Sequence, residues 1–203
     1  FLRGRSTILQ LLNVMEKWTQ TVDVGNHIDV VYCDFMKAFD KVSHIRLIQV
    51  MHYYCIPIDI VNWVKDFLSN RMQRVMIRGV PSSWHKVISG VPQGSVLGPI
   101  LFLIYINTLT EVVQHSDLVL FADDNKLYKE IIRDEDKDLL QIDIDAMHNW
   151  TNNSLLLFHP DKCFTMQINS KLKTTYSPAY HMNDRILVNK NELKDLGILI
   201  DEH

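Results

Sequence analysis

The apolar positions along this chain change their period several times, and each change marks an element. Behind Ser6 and Thr7, either of which can cap a helix, Ile8, Leu11, Leu12, Met15 and Trp18 form one stripe, so the spacing predicts a helix over 7–20. Gly25-Asn26 reads as a turn. Residues 28–34 are an apolar run closed by Asp34, the pattern of a buried strand. Ser43 caps a second predicted helix that carries Ile45, Leu47, Ile48, Met51 and Tyr54 and is stopped by Pro57; a third covers 58–68 with Ile60, Val61, Val64, Phe67 and Leu68 inward. Polar and apolar residues alternate over 72–78, turn over 79–83 and return over 84–89 as a second strand. A loop over 90–99, with three glycines and two prolines, opens onto an apolar helix over 100–113. Segments 117–122 and 126–132 pair as a hairpin. An amphipathic helix over 134–152 follows, with Leu139, Leu140, Ile144, Met147 and Trp150 apolar. Short strands are predicted at 155–158, 163–168, 180–182, 186–188 and 196–200.

The order strand, helices, hairpin, helix, strand is that of the split β-α-β-β-α-β arrangement, so the expected class is α+β, a ferredoxin-like antiparallel sheet with helices covering one face. In that arrangement the first strand lies beside the hairpin, which brings Asp34 near Asp123 and Asp124 at its tip. Asp-Asp-Asn alone makes an ordinary turn. Adjacent carboxylates nevertheless repel and resist burial, and a divalent cation balances them most simply. Hard oxygen ligands suit Mg²⁺, and two such ions held about 3.5–4 Å apart is a geometry used for phosphoryl transfer.

Composition narrows the classes without choosing one. The 203 residues are 47% hydrophobic and 22% charged, a globular balance with room for one substantial domain or two small ones. No apolar run reaches the ~18 residues of a membrane span, and Arg3, Arg5 and Gln10 break any leader-like run at the start. Three widely spaced cysteines, Cys33, Cys55 and Cys163, suggest neither a disulfide framework nor a zinc cluster and fit a reducing compartment; the histidines show no metal-ligand spacing. A net charge of −3 counts mildly against a nucleic-acid binder, yet Arg71, Arg74, Arg78, His85 and Lys86 gather ahead of the glycine-rich loop while acids gather over 134–145. Tyr53, Tyr54 and Trp84 are expected in the core. Ser95 has no His partner pattern, which argues against nucleophilic hydrolysis.

Five stretches stand in a telling order: Phe1-Leu2-Arg3-Gly4-Arg5-Ser6-Thr7, Asp34-Phe35-Met36-Lys37-Ala38-Phe39-Asp40-Lys41-Val42, Ser89-Gly90-Val91-Pro92-Gln93-Gly94-Ser95-Val96-Leu97-Gly98-Pro99, Phe121-Ala122-Asp123-Asp124 and Leu196-Gly197-Ile198. Together they resemble the reverse transcriptase domain of a non-LTR retrotransposon of the jockey-like LINE type. The likeness extends over essentially the whole chain and includes Trp63-Val64-Lys65-Asp66-Phe67-Leu68-Ser69-Asn70-Arg71 and Leu101-Phe102-Leu103-Ile104-Tyr105-Ile106-Asn107.

The resemblance implies an RNA-directed DNA polymerase palm that uses two Mg²⁺ ions, with Mn²⁺ as an alternative, for nucleotidyl transfer in retrotransposon replication. It assigns Asp34, Asp123 and Asp124 as the catalytic, metal-binding carboxylates. It assigns Phe35, Phe39, Gln93, Gly94 and Lys162 to nucleotide binding: Phe39 as the ring that excludes a 2′-hydroxyl, Lys162 as a cation near the triphosphate. Leu196-Gly197-Ile198 resembles the family's primer-gripping hairpin. The implied partners are an RNA template, a DNA primer and dNTPs, with no membrane, in the nucleus and cytoplasm. The implied division is partial fingers and connecting helices at 1–27 and 43–90, palm core at 28–42 and 91–170, and a hairpin region at the palm–thumb boundary over 171–203. The chain then starts within the fingers and stops before a thumb. Met36, Thr108 and Asn125 depart from the family's usual serine, aspartate and threonine. A catalytically inactive remnant or domesticated nucleic-acid-binding module, and more distantly a two-metal nuclease, stay open beside the polymerase.

Overall fold

The computed structural model describes residues 4, 6–169 and 179–201; Phe1, Leu2, Arg3 and Arg5 of the first matching stretch, and 170–178 and 202–203 of the expected hairpin region, lie outside them. The elements run α1 (Thr7–Asp23), β1 (His27–Cys33), α2 (Ala38–Lys41), α3 (His44–Tyr53), α4 (Ile58–Leu68), β2 (Met72–Gln73), β3 (Met76–Ile77), β4 (Val80–Pro81), β5 (His85–Lys86), α5 (Leu97–Ile106), β6 (Asp117–Phe121), β7 (Asp124–Ile131), α6 (Asp134–Ser154), β8 (Phe164–Ile168), β9 (His181–Met182), β10 (Arg185–Ile186), β11 (Val188–Asn189), β12 (Glu192–Asp195) and β13 (Ile198–Asp201). No helix among the described residues is long and apolar enough to cross a membrane.

The chain divides into two compact units: Phe1–Met36, Leu109–Asn153 and Leu157–His203 form the first, Lys37–Thr108 and Ser154–Leu156 the second. Helix α1 goes with the sheet, while 37–42 and 91–108 go with the other helices.

In the first unit a five-stranded sheet runs β11-β8-β1-β7-β6. Its last four strands have the order of the split β-α-β-β-α-β fold, so the α+β expectation holds; β11 adds a fifth strand, parallel to β8. Strand β1 is central. It pairs antiparallel with β7 and with β8, placing Tyr32 opposite both Lys126 and Phe164. Six of its seven residues are buried, as a two-sided strand requires. Ile28, Val30 and Tyr32 share one face and pack in a core with Leu11, Val14 and Trp18 of α1, Tyr128, Met166 and the hairpin residues Leu193 and Ile200. The indole of Trp18 meets Tyr128 edge-on at 5.8 Å between ring centroids. On the opposite face Asp29 is only 2% exposed; Tyr180 Oη donates to its Oδ2 at 2.6 Å and Gln167 Nε2 to its Oδ1 at 2.9 Å. The stripe of α1 needs correction. In α1 the buried positions are Leu11, Val14 and Trp18, whereas Ile8, Leu12 and Met15 face solvent, because the sheet covers a narrow stripe at i, i+3, i+7. Residues 155–158, expected as a strand, contribute only the isolated bridge between Phe35 and Phe158.

The second unit is built from α3, α4 and α5, with Leu47 and Met51, then Val61, Val64 and Leu68, then Leu101, Phe102, Tyr105 and Ile106 buried. Here Ile45 and Ile60 are solvent-facing against expectation. The expected long ribbon is interrupted at 74–75 and 82–84, leaving the short pairs β2–β5 and β3–β4, and its turn is made by Arg78 and Gly79 alone, both at positive backbone angles. Tyr53, Tyr54 and Trp84 are exposed rather than core. A two-stranded ribbon has no second layer to bury Trp84, and the Arg74 guanidinium covers its ring at 4.6 Å instead. Tyr53 and Tyr54 fall at the end of α3, past the packed pair Leu47 and Met51.

Candidate active site

The acid pair owes its place to a tight hairpin. Phe121 pairs with Asp124 across it, leaving Ala122 and Asp123 as the two-residue connection. Such a turn needs a positive φ, and Ala122 supplies one at 54°. Asn125 Nδ2 donates to Asp123 O at 3.3 Å and steadies the turn from within.

Asp34 stands at the end of β1 and is held by its backbone. His159 N donates to Asp34 O at 2.7 Å, and Met36 N donates to Leu157 O at 2.9 Å. Carried one step beyond the pairing with β7 and two steps beyond that with β8, the registers converge: Asp34 falls opposite Asp124 on one side and opposite Lys162 on the other. The side chains agree with that placement. Lys162 Nζ donates to Asp34 Oδ2 at 2.6 Å, and the neighbouring Asp34 and Asp123 carboxylates hold the ammonium pKa above its ordinary value. Asp124 keeps contact with solvent, yet its pKa is pushed up, first by desolvation, then by the charges of Asp123, Asp195 and Asp34, with Lys126 opposing. Asp124 therefore feels both Asp123 and Asp34. Asp34, Asp124, Lys162 and the hairpin residue Asp195 border one cavity of about 240 Å³.

Among the described residues no three His, Cys, Asp or Glu side chains are already gathered to hold a metal ion. Asp34 is engaged by Lys162 instead. The donor set still fits a divalent cation: it is all oxygen and mutually repelling. Asn125, buried beside Asp124, leaves its Oδ1 without a hydrogen-bond partner among the described residues.

The remaining sequence-predicted residues fall as follows. Phe35 is 4% exposed and stacks on Phe158 at 4.6 Å between centroids, so its ring is core and only its backbone is left for a nucleotide. Phe39, Gln93 and Gly94 belong to the second unit. There Phe39 stacks on Phe102 at 4.4 Å, and its carbonyl accepts from Val91 N at 2.8 Å. Gln93 Nε2 donates to Asp40 Oδ1 at 3.0 Å. Gly94 takes φ +81° with open space where a Cβ would stand. Gly90 is demanded by contact: a Cβ there would meet Asp40 O at 2.8 Å. A groove of about 550 Å³ beside this loop carries Lys37, Lys41, Arg71 and Lys86.

Sequence reasoning missed the buried ion pair of Lys126 with Asp195, whose side chains are 4% and 5% exposed. Tyr32 Oη donates to the same Asp195 Oδ2 at 3.4 Å. The signal was present: Lys126 and Tyr128 share a strand face, and a lysine at a buried strand position needs a partner.

A family model described as reverse transcriptase (RNA-dependent DNA polymerase) matches residues 4–200. Over 210 residues the chain is 29% identical to a probable RNA-directed DNA polymerase from transposon X-element of Drosophila melanogaster, covering 99% of this chain and 22% of that protein. It is 30% identical over 180 residues to the RNA-directed DNA polymerase from mobile element jockey of the same species, covering 84% and 19%. The chain thus spans less than a quarter of the length of these curated relatives. Among solved structures, telomerase from Candida tropicalis with a TWJ fragment of telomeric RNA superposes with a TM-score of 0.59 at 12% identity, over 83% of this chain and 31% of that one. Telomerase from Candida albicans gives 0.58 at 13%, over 94% and 33%. At these identities the likeness is one of fold.

Proposed function

The chain belongs to the reverse transcriptase (RNA-dependent DNA polymerase) family, and from that premise we propose that it is the palm of an RNA-directed DNA polymerase from a non-LTR retrotransposon, extending a DNA primer along an RNA template with dNTPs. The observation that carries this reading is the row Lys162–Asp34–Asp124, with Asp123 in the adjoining turn, at one end of the antiparallel strands β8, β1 and β7.

In this reading Asp34, Asp123 and Asp124 hold divalent cations, Mg²⁺ or Mn²⁺. Bound there, such ions supply the charge that lowers the pKa of a primer 3′-hydroxyl and neutralises a triphosphate. The rest falls to the chain. The central strand and the 157–159 segment fix Asp34 by backbone bonds, so its carboxylate needs little reorganisation. Lys162, kept protonated by its carboxylate neighbours, is the cation that a triphosphate arriving at Asp34 meets, and it can return a proton to departing pyrophosphate. Phe39 and the Gln93-Gly94 loop are assigned to the sugar and template.

A second reading, nucleic-acid binding without extension, draws on the engagement of Asp34 by Lys162. Primer extension on a homopolymer RNA template with Mg²⁺ decides between them. Extension that falls on the order of a hundredfold or more in Asp123→Ala is expected. Primer–template binding with no extension, untouched by that substitution, overturns the catalytic reading.

A further inference from the structure

We propose that Lys126 and Asp195 are a positioning pair: their buried ion bond pins the β12–β13 hairpin to the strand that carries Asp124 and so fixes one wall of the active-site cavity. The consequence for catalysis rests on the polymerase reading; the tether itself does not.

The hairpin is a separate two-stranded sheet, and an isolated two-stranded hairpin is marginally stable. Leu193 and Ile200 seat it in the core under α1. Apolar packing is non-directional, so it does not by itself set where the hairpin sits along the sheet. The ion pair is directional. Lys126 lies two residues after Asp124 and on the same strand face, opposite Tyr32. Its ammonium bonds Asp195 and lies 5.6 Å from the Tyr32 ring centroid, while Tyr32 Oη donates to Asp195. Tyr32 stacks on Phe164 at 5.4 Å, which ties the cluster to β8 as well. Two charges this dry persist only with each other, and loss of either leaves the other buried and unpaired. Lys194, Asp195 and Leu196 border the same cavity as Asp34, Asp124 and Lys162, so a hairpin displaced along the sheet reshapes the space where substrate meets the carboxylates.

The test compares the parent with Lys126→Met, Asp195→Leu and the double variant in the intact chain. Hydrogen exchange of the 192–201 amides reads the tether, thermal unfolding reads the fold, and primer extension reads kcat and the KM for nucleotide. Each single variant is expected to speed hairpin exchange about tenfold or more relative to β8. The double variant is expected to regain the parental melting temperature, since an apolar pair replaces the ionic one, while its kcat stays about tenfold or more below parent with little change in KM. Lys126→Arg, which keeps the charge, is expected to retain most of the kcat. Unchanged exchange in the single variants overturns the tether, and parental kcat in the double variant overturns the positioning role. Should a single variant fail to fold, the double variant and Lys126→Arg read the same quantities. A parent that extends no primer refutes the polymerase reading alone, and hydrogen exchange then decides the tether.

Discussion

Ala122 holds a left-handed backbone, φ 54°, at the turn that presents Asp123. For a residue with a Cβ that conformation costs about 1–2 kcal/mol, which glycine avoids at some cost in unfolded-state entropy. Ala122→Gly is therefore expected to raise stability by up to about 1 kcal/mol, read as a shift of the denaturant midpoint with unchanged slope. At this scale the sequence was informative where chemistry is blunt. Two adjacent acids after an apolar strand, and a third acid ending another, single out Asp123, Asp124 and Asp34 in the sequence. It was mute where a partner lies far along the chain: nothing local ties Lys126 to Asp195, 69 residues on. Aromatic side chains misled for a different reason. Tyr53, Tyr54 and Trp84 are apolar enough for a core, but burial depends on whether a second layer covers them.

At the scale of elements, helix α6 shows how a start signal works. Asp136 accepts from the N–H groups of Ile132 at 3.0 Å and Arg133 at 2.9 Å, reaching back to cap the first turn. Burial pushes its pKa up, but these two backbone donors and the nearby Lys129 and Arg133 charges outweigh it, and the net value lies below the ordinary 3.8. A carboxyl depressed in the native state stabilises above its unfolded pKa, and that contribution is lost as pH falls through the native value. Acidification below the ordinary 3.8 and through the lower native value should therefore fray α6. Asp136→Ala should cost about 1 kcal/mol at neutral pH and flatten that pH dependence, as followed by circular dichroism and thermal melting. Long periodic elements such as α1, α4 and α6 were legible from their stripes. The details of the expected ribbon over 72–89 were not, because alternation says nothing of where the ladder is interrupted, at 74–75 and 82–84, or of the positive φ at Arg78 that lets the turn close over two residues. Nor was the helix start at Leu97, since Pro99 conceals that it sits within the first turn.

The whole molecule depends on ties between distant segments. Tyr180 Oη and Asp29 Oδ2 are 2.6 Å apart across a sequence separation of 151. Tyr180→Phe removes a donor from a buried carboxylate and should cost about 1–3 kcal/mol in equilibrium unfolding. The order of elements sufficed to read the split β-α-β-β-α-β topology, because a strand, a hairpin and a returning strand leave few ways to close one sheet. The fifth strand was not readable, since it depends on packing between segments that carry no shared local pattern. The central strand sets a last constraint. Tyr32 looks toward the hairpin and Asp34 toward Lys162 because both are even-numbered steps of one alternating ladder. One codon gained or lost within 27–33 would reverse the alternation on one side of the change and face either the core residues or the carboxylate the wrong way, whatever amino acid was involved. In this stretch, length should be under stricter control than composition, and an in-frame indel there should abolish function where many conservative substitutions do not.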